Sequence, residues 1–121
     1  MNKLEIAGKA IEELKKRYQD QLSSVILFGS IAKKGDGNDI DLALIIDDNY
    51  RIFGNFGLES LDYRGIPYEL TEGVNELKAR FKEKFGVPFD LLTYWESEYE
   101  NGIELGRDSL NETGIEMYKV A

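Results

Sequence analysis

The residues best suited to chemistry fall in one short stretch. Phe28-Gly29-Ser30 closes an apolar run, eight residues follow, and Asp39-Ile40-Asp41 opens a second apolar run, Leu42-Ala43-Leu44-Ile45-Ile46. On a strand, side chains alternate faces, so Asp39 and Asp41 are expected on one side with Ile40 on the other. Two carboxylates on one face repel unless a cation lies between them. Oxygen donors of this kind suit Mg²⁺, which keeps waters and is bound by one or two carboxylates together with substrate phosphates. Gly29 permits close backbone approach, and Ser30 offers a hydroxyl beside backbone N–H groups, a combination suited to phosphate. Lys33 and Lys34 lie a turn further on, where they could meet phosphate oxygens. A third carboxylate, Asp90, stands in another apolar run between Phe89 and Leu91. If that run neighbours the second one, Asp90 faces the same site and could take a proton from an attacking hydroxyl.

Composition narrows the chemistry. The 121-residue chain has no cysteine and no histidine, which removes thiolate chemistry, the usual general base and the commonest zinc ligand. Catalysis would have to rest on carboxylates, hydroxyls, Lys, Arg and a hard metal ion. A net charge of −8 disfavours nucleic acid as the main partner, because such binding requires clustered cations. Hydrophobic residues make up 42%, enough for a folded core, and the length suits one domain over residues 1–121. No apolar stretch is long enough to span a membrane, and Met1-Asn2-Lys3-Leu4-Glu5-Ile6 lacks a signal core. A soluble, cytoplasmic protein is expected.

Several elements must position these residues. Helical spacing of Leu4, Ala7, Ile11, Leu14 and Tyr18 predicts a helix over 3–20, capped by Asn2 with Glu5 three positions on. Strands are expected over 24–28, 39–46 and 88–94, and a short helix over 30–34. A second long helix is expected over 72–85, with Val74, Leu77, Phe81 and Phe85 inward and Gly86 as its stop. Residues 61–70 could form a hairpin turning at Arg64-Gly65, with Pro67 confining it to a sheet edge, or a helix end and a loop. Part of 97–113 reads as helical, with Gly114 ending it and a short strand over 115–118. Strands alternating with helices imply an α/β (α+β) sandwich, a small mixed sheet with helices packed on it.

A Gly-Ser after a strand is common, and an Asp-x-Asp at a strand start is often a solvated turn. The weight lies in their combination with Asp90. Together, Gly29-Ser30, Asp39-Ile40-Asp41 and Asp90 resemble the minimal nucleotidyltransferase (MNT) family of the DNA polymerase beta superfamily. Val87-Pro88-Phe89-Asp90-Leu91-Leu92 and Gly114-Ile115-Glu116-Met117-Tyr118 also look like the family's later portion. The spacer after Ser30 is shorter than usual there, Lys34 stands where Gly is common, and Asn38 stands where Ser often precedes the Asp pair. The stretch Tyr63–Leu70 resembles the third-strand motif of some larger relatives, which makes Glu69 a rival to Asp90.

The resemblance implies a polymerase beta-like fold and Mg²⁺-dependent nucleotidyl transfer. Asp39 and Asp41, with Asp90 beside them, would bind two Mg²⁺ ions, Asp90 would activate the incoming hydroxyl, and Gly29, Ser30 and Lys33 would hold the phosphates of ATP. Because MNT proteins are often paired with HEPN-domain proteins as antitoxin and toxin, it implies AMP transfer to a partner protein. The alternatives are a binding-only antitoxin with a vestigial site and a small-molecule nucleotidyltransferase completed as a homodimer. Phe53, Phe56, Tyr63, Tyr68, Trp95 and Tyr99 are ordinary packing on one reading and an acceptor pocket or interface on the other.

Overall fold

The structure, a computed structural model, describes residues 2–34, 37–48, 66–101 and 115–119. Its elements run α1 (Lys3–Tyr18), β1 (Leu22–Phe28), α2 (Gly29–Lys34), β2 (Ile40–Ile46), α3 (Tyr68–Phe85), β3 (Phe89–Trp95), α4 (Glu96–Asn101) and β4 (Ile115–Lys119).

The first helix begins where its capping signals place it. The Glu5 amide donates to Asn2 Oδ1 at 2.8 Å, and the Asn2 amide donates back to the Glu5 carboxylate at 3.5 Å. Ile6, Ala7, Ala10, Ile11, Leu14 and Tyr18 form its buried face. Leu4, expected inward, stays 41% exposed in the first turn, and Ile6 and Ala10 widen the stripe instead. The helix ends at Tyr18, two residues before the expected limit.

The four strands form one mixed sheet in the order β3-β2-β1-β4. β1 pairs antiparallel with β2 and β4, whereas β2 and β3 run parallel. A parallel pair requires a long crossover, and α3 lies within the one between β2 and β3. β2 is apolar nearly throughout because both its faces are covered. Ile40, Leu42, Leu44 and Ile46 join Val25, Leu27, Phe89 and Trp95 under the buried stripes of α1 and α3. On the opposite face, Ala43 and Ile45 pack with Ile26 and Tyr94, flanked by Phe28, Leu92 and Tyr99. The sheet thus has a thick helical layer on one side and a smaller apolar patch on the other.

The two long helices share the first layer. Arg80 of α3 bonds Glu13 of α1 and also Glu76, and Arg17 reaches Glu76 at 3.3 Å. These pairs are largely exposed and contribute little beyond orientation. Leu14 and Leu77, fully buried between helices and sheet, contribute more, about 1.5–3 kcal/mol each from burial alone.

Several further boundaries differ from expectation. β1 starts two residues earlier, at Leu22, and β3 extends to Trp95. β2 starts at Ile40, which leaves Asp39 in a bend just before the strand. α3 starts at Tyr68, so residues 68–70 belong to a helix and not to a hairpin. The reason is Pro67. Its fixed φ suits the position before a helix, and its carbonyl accepts from the amides of Leu70 and Thr71 at 3.1 and 3.2 Å. Gly86 closes α3 as expected, at φ +70° with its amide bonded to the Lys82 carbonyl. The Arg64-Gly65 turn and residues 102–114 lie outside the described residues.

Candidate active site

The site forms where β1 ends and β2 and β3 begin. β1 passes directly into α2 through Gly29, whose φ of +77° is a left-handed conformation that L side chains rarely adopt. Ile31, fully buried, anchors α2 to the core and leaves Ser30, Lys33 and Lys34 exposed. In the β1–β2 ladder Asp41 stands opposite Phe28, which brings it beside the Gly29 turn. The approach is close enough that a Cβ added to Gly29 would fall on the Asp41 carboxylate, 3.1 Å from its Cγ. Glycine is therefore required twice over, for conformation and for space.

The parallel β2–β3 register sets Asp41 directly beside Asp90. Partners in register share a face and are separated by the strand spacing, about 4.8 Å. Ile40 fastens the start of this pair by donating its amide to the Pro88 carbonyl at 3.0 Å. Asp39 and Asp90 are exposed, and Asp41 is half-buried. Burial pushes the Asp41 carboxyl up to about 6, with the neighbouring charges of Asp90 and then Asp39 adding to the effect. The three carboxylates expected to act together are thus electrostatically coupled around Asp41.

This donor set fits a hard divalent cation. Asp41 is a half-buried carboxylate facing like charges, and no cation among the described residues pairs with it. Among the described residues, no three His, Cys, Asp or Glu side chains close into a ready-made metal cage. Asp41 and Asp90 side by side would leave coordination positions for water and substrate oxygens on a cation held between them.

The other expected positions divide clearly. Glu69 lies in the first turn of α3, exposed, with its charge felt by Tyr18 of α1. It belongs to the helical layer and does not join the coupled carboxylates. Trp95 is buried in the core. Tyr68 is 45% exposed at the start of α3, and Tyr99 packs at 6.5 Å between ring centroids on Tyr94. Phe53, Phe56 and Tyr63 lie outside the described residues. One residue carries more structure than its sequence position suggested: Gly37 packs on Ser30. A Cβ there would overlap the Ser30 hydroxyl and lie 3.0 Å from Ser30 Cβ. A glycine between two site motifs was the visible signal.

Comparison with known proteins is decisive on the family. The family model for the nucleotidyltransferase domain matches residues 8–98, a span that contains the Gly29 turn and all three aspartates. The chain belongs to the nucleotidyltransferase domain family. Solved structures share the fold of this nucleotidyltransferase domain. A crystal structure described as a putative nucleotidyltransferase from Sulfolobus solfataricus superposes with a TM-score of 0.52 at 18% identity, covering 96% of this chain and 79% of the other. The toxin–antitoxin MntA-HpeT, crystallised as a mutant with two Asp-to-Glu changes two positions apart, also superposes at 0.52. Its identity is 14%, over 93% of this chain and 73% of that one. A search of curated proteins finds no match. No helix among the described residues is long and apolar enough to cross a membrane.

Proposed function

We propose that this nucleotidyltransferase domain transfers AMP from ATP to a hydroxyl of a partner protein, as an antitoxin-like counterpart of a HEPN-type toxin. The observation that carries the reading is the in-register pair Asp41–Asp90 beside the Gly29 turn. It sets two carboxylates next to a backbone that can approach phosphate.

Asp39 and Asp41 would hold Mg²⁺ with the triphosphate, and Asp90 would contribute from β3. When bound, the ions neutralise charge on the α-phosphate and on the departing pyrophosphate. The protein's own groups do the rest. Gly29 and the Ser30 hydroxyl hold distal phosphates, with Lys33 close by on α2. The acceptor oxygen forms a bond to the α-phosphorus, while the bond from that phosphorus to the bridging oxygen of the β-phosphate breaks. Pyrophosphate leaves with the electron pair. The hydroxyl proton passes to the Asp90 carboxylate, which is exposed and so accessible to an acceptor arriving from solvent.

A protein acceptor is favoured by the MNT resemblance and by a fold relative that is half of a toxin–antitoxin pair. That relative was altered at an Asp-x-Asp spacing, the spacing of Asp39 and Asp41. A net charge of −8 suits a basic protein partner better than a nucleic acid. The test is incubation of purified protein, Mg²⁺ and ATP labelled on the α-phosphate with extract from its own source. A labelled protein band that is lost with Asp39→Asn supports the proposal. Label confined to a small molecule overturns the protein acceptor but leaves nucleotidyl transfer standing.

A further inference from the structure

Lys3 lies far from the aspartates in sequence and outside the motifs, yet it touches the loop between them. As the first residue of α1 it is half-buried, and its ammonium donates a hydrogen bond to the Gly37 carbonyl, thirty-four positions along the chain. Gly37 in turn packs on Ser30, with no room for a Cβ. The order of contact is therefore Lys3 ammonium, Gly37 backbone, Ser30 side chain. Asp39 follows Gly37 by two residues, and Asp41 is the second residue of β2.

Two features set this contact apart from ordinary surface packing. Residues 37–39 have no regular secondary structure, so no ladder of backbone bonds fixes them. A side-chain tether then has a large effect on where they sit. Lys3 is also a cation in the first turn of a helix, where the macrodipole disfavours positive charge. Its position is poor for α1 and suited to the loop.

We propose that Lys3 is a positioning residue for nucleotide binding: its ammonium clamps Gly37 over Ser30 and thereby fixes the segment that carries Asp39. This role rests on the nucleotidyl-transfer reading. The clamp predicts a specific pattern among substitutions. Lys3→Met keeps the aliphatic stem and removes the donor, whereas Lys3→Arg keeps a charged donor on a stem of similar length.

The test has two readouts on the full chain. The first is the ¹⁵N heteronuclear NOE of the Gly37, Asn38 and Asp39 amides without ligand. It should fall in Lys3→Met, stay near wild type in Lys3→Arg, and leave α1 amides such as Leu14 unchanged. The second is calorimetric affinity for Mg²⁺ with the α,β-methylene analogue of ATP. Losing one charged hydrogen bond to the loop should weaken binding by about tenfold in Lys3→Met, with recovery to within about threefold in Lys3→Arg. A urea midpoint close to wild type in both variants separates the clamp from a general loss of stability. Unchanged loop NOEs in Lys3→Met would overturn the clamp. Lost NOEs with unchanged affinity would overturn its role in binding. Wild-type protein that fails to bind the analogue would overturn the nucleotide reading, and Lys3's part in it, while the NOEs still decide whether the clamp exists.

Discussion

Asp41 carries an opposition between function and stability that can be measured without knowing the acceptor. Its carboxyl is raised from 3.8 to about 6, chiefly by burial and then by Asp90 and Asp39. The native state therefore binds this proton more tightly than the unfolded chain. Above about pH 6 the native protein holds an ionised, half-buried carboxylate and bears the full penalty. As pH falls from 6 towards 3.8 the native state takes up the proton first and the penalty fades. Two pH units correspond to about 3 kcal/mol at most, and solvent screening at a half-buried site reduces this to about 1–2 kcal/mol. Asp41→Asn mimics the protonated form. In EDTA at pH 8 it should be more stable than wild type by about that amount, an upward shift in Tm of about 3–8 °C for a chain of this size. The gap should narrow between pH 6 and 4. Added Mg²⁺ should raise the Tm of wild type and not of the variant. Urea and thermal unfolding across this pH range provide the assay. A variant no more stable than wild type at pH 8, or a gap independent of pH, would refute the electrostatic reasoning.

Other consequences can be checked as directly. Asp90→Asn should lower the Asp41 pKa only part of the way to its ordinary value, because burial is the larger cause; ¹³C titration of the carboxyl measures this. Gly29→Ala must adopt a left-handed φ and displace the Asp41 carboxylate, so urea unfolding should show a loss of about 1–3 kcal/mol, with nucleotide binding reduced alongside. Glu69→Gln should leave both the Asp41 titration and Mg²⁺–nucleotide affinity at wild-type values in NMR and calorimetry, since Glu69 lies in the helical layer. A tenfold loss of affinity there would return it to the site.

Much of this site was legible because its signals are local. The apolar run ending at Phe28, the glycine needed at the turn, and the polar-to-apolar switch at Asp41 each follow from strand periodicity and turn chemistry. The pairing of Asp41 with Asp90 was conditional, since only the sheet order makes β2 and β3 neighbours. Asp39 was read as the first strand residue, but Asn38 and Asp39 are both polar, and regular pairing starts at the first apolar position, Ile40. The start of α3 was hidden for a different reason. Pro67 reads equally as a strand breaker or a helix start, and α3 has no side-chain cap to mark its N-terminus. Glu69 drew its candidacy from the likeness of Tyr63–Leu70 to a third-strand motif, and its position in the first turn of α3 takes it out of any strand that could rival Asp90 in β3. Leu4 fits the helical stripe by spacing, but the first turn is less fully covered than the turns that follow. The contact of Lys3 with Gly37 has no local signature, because it joins segments that only the tertiary fold brings together.

The central claim is that these carboxylates serve nucleotidyl transfer, and the fate of the two ends of the triphosphate tests it most directly. Parallel reactions would contain ATP labelled on the α- or the γ-phosphate, Mg²⁺, and the protein with extract from its own source, with Asp41→Asn alongside. The account predicts a product that carries the α label and no γ label, accompanied by pyrophosphate and absent with the variant. A product carrying the γ label, or α label transferred equally by Asp41→Asn, would contradict it.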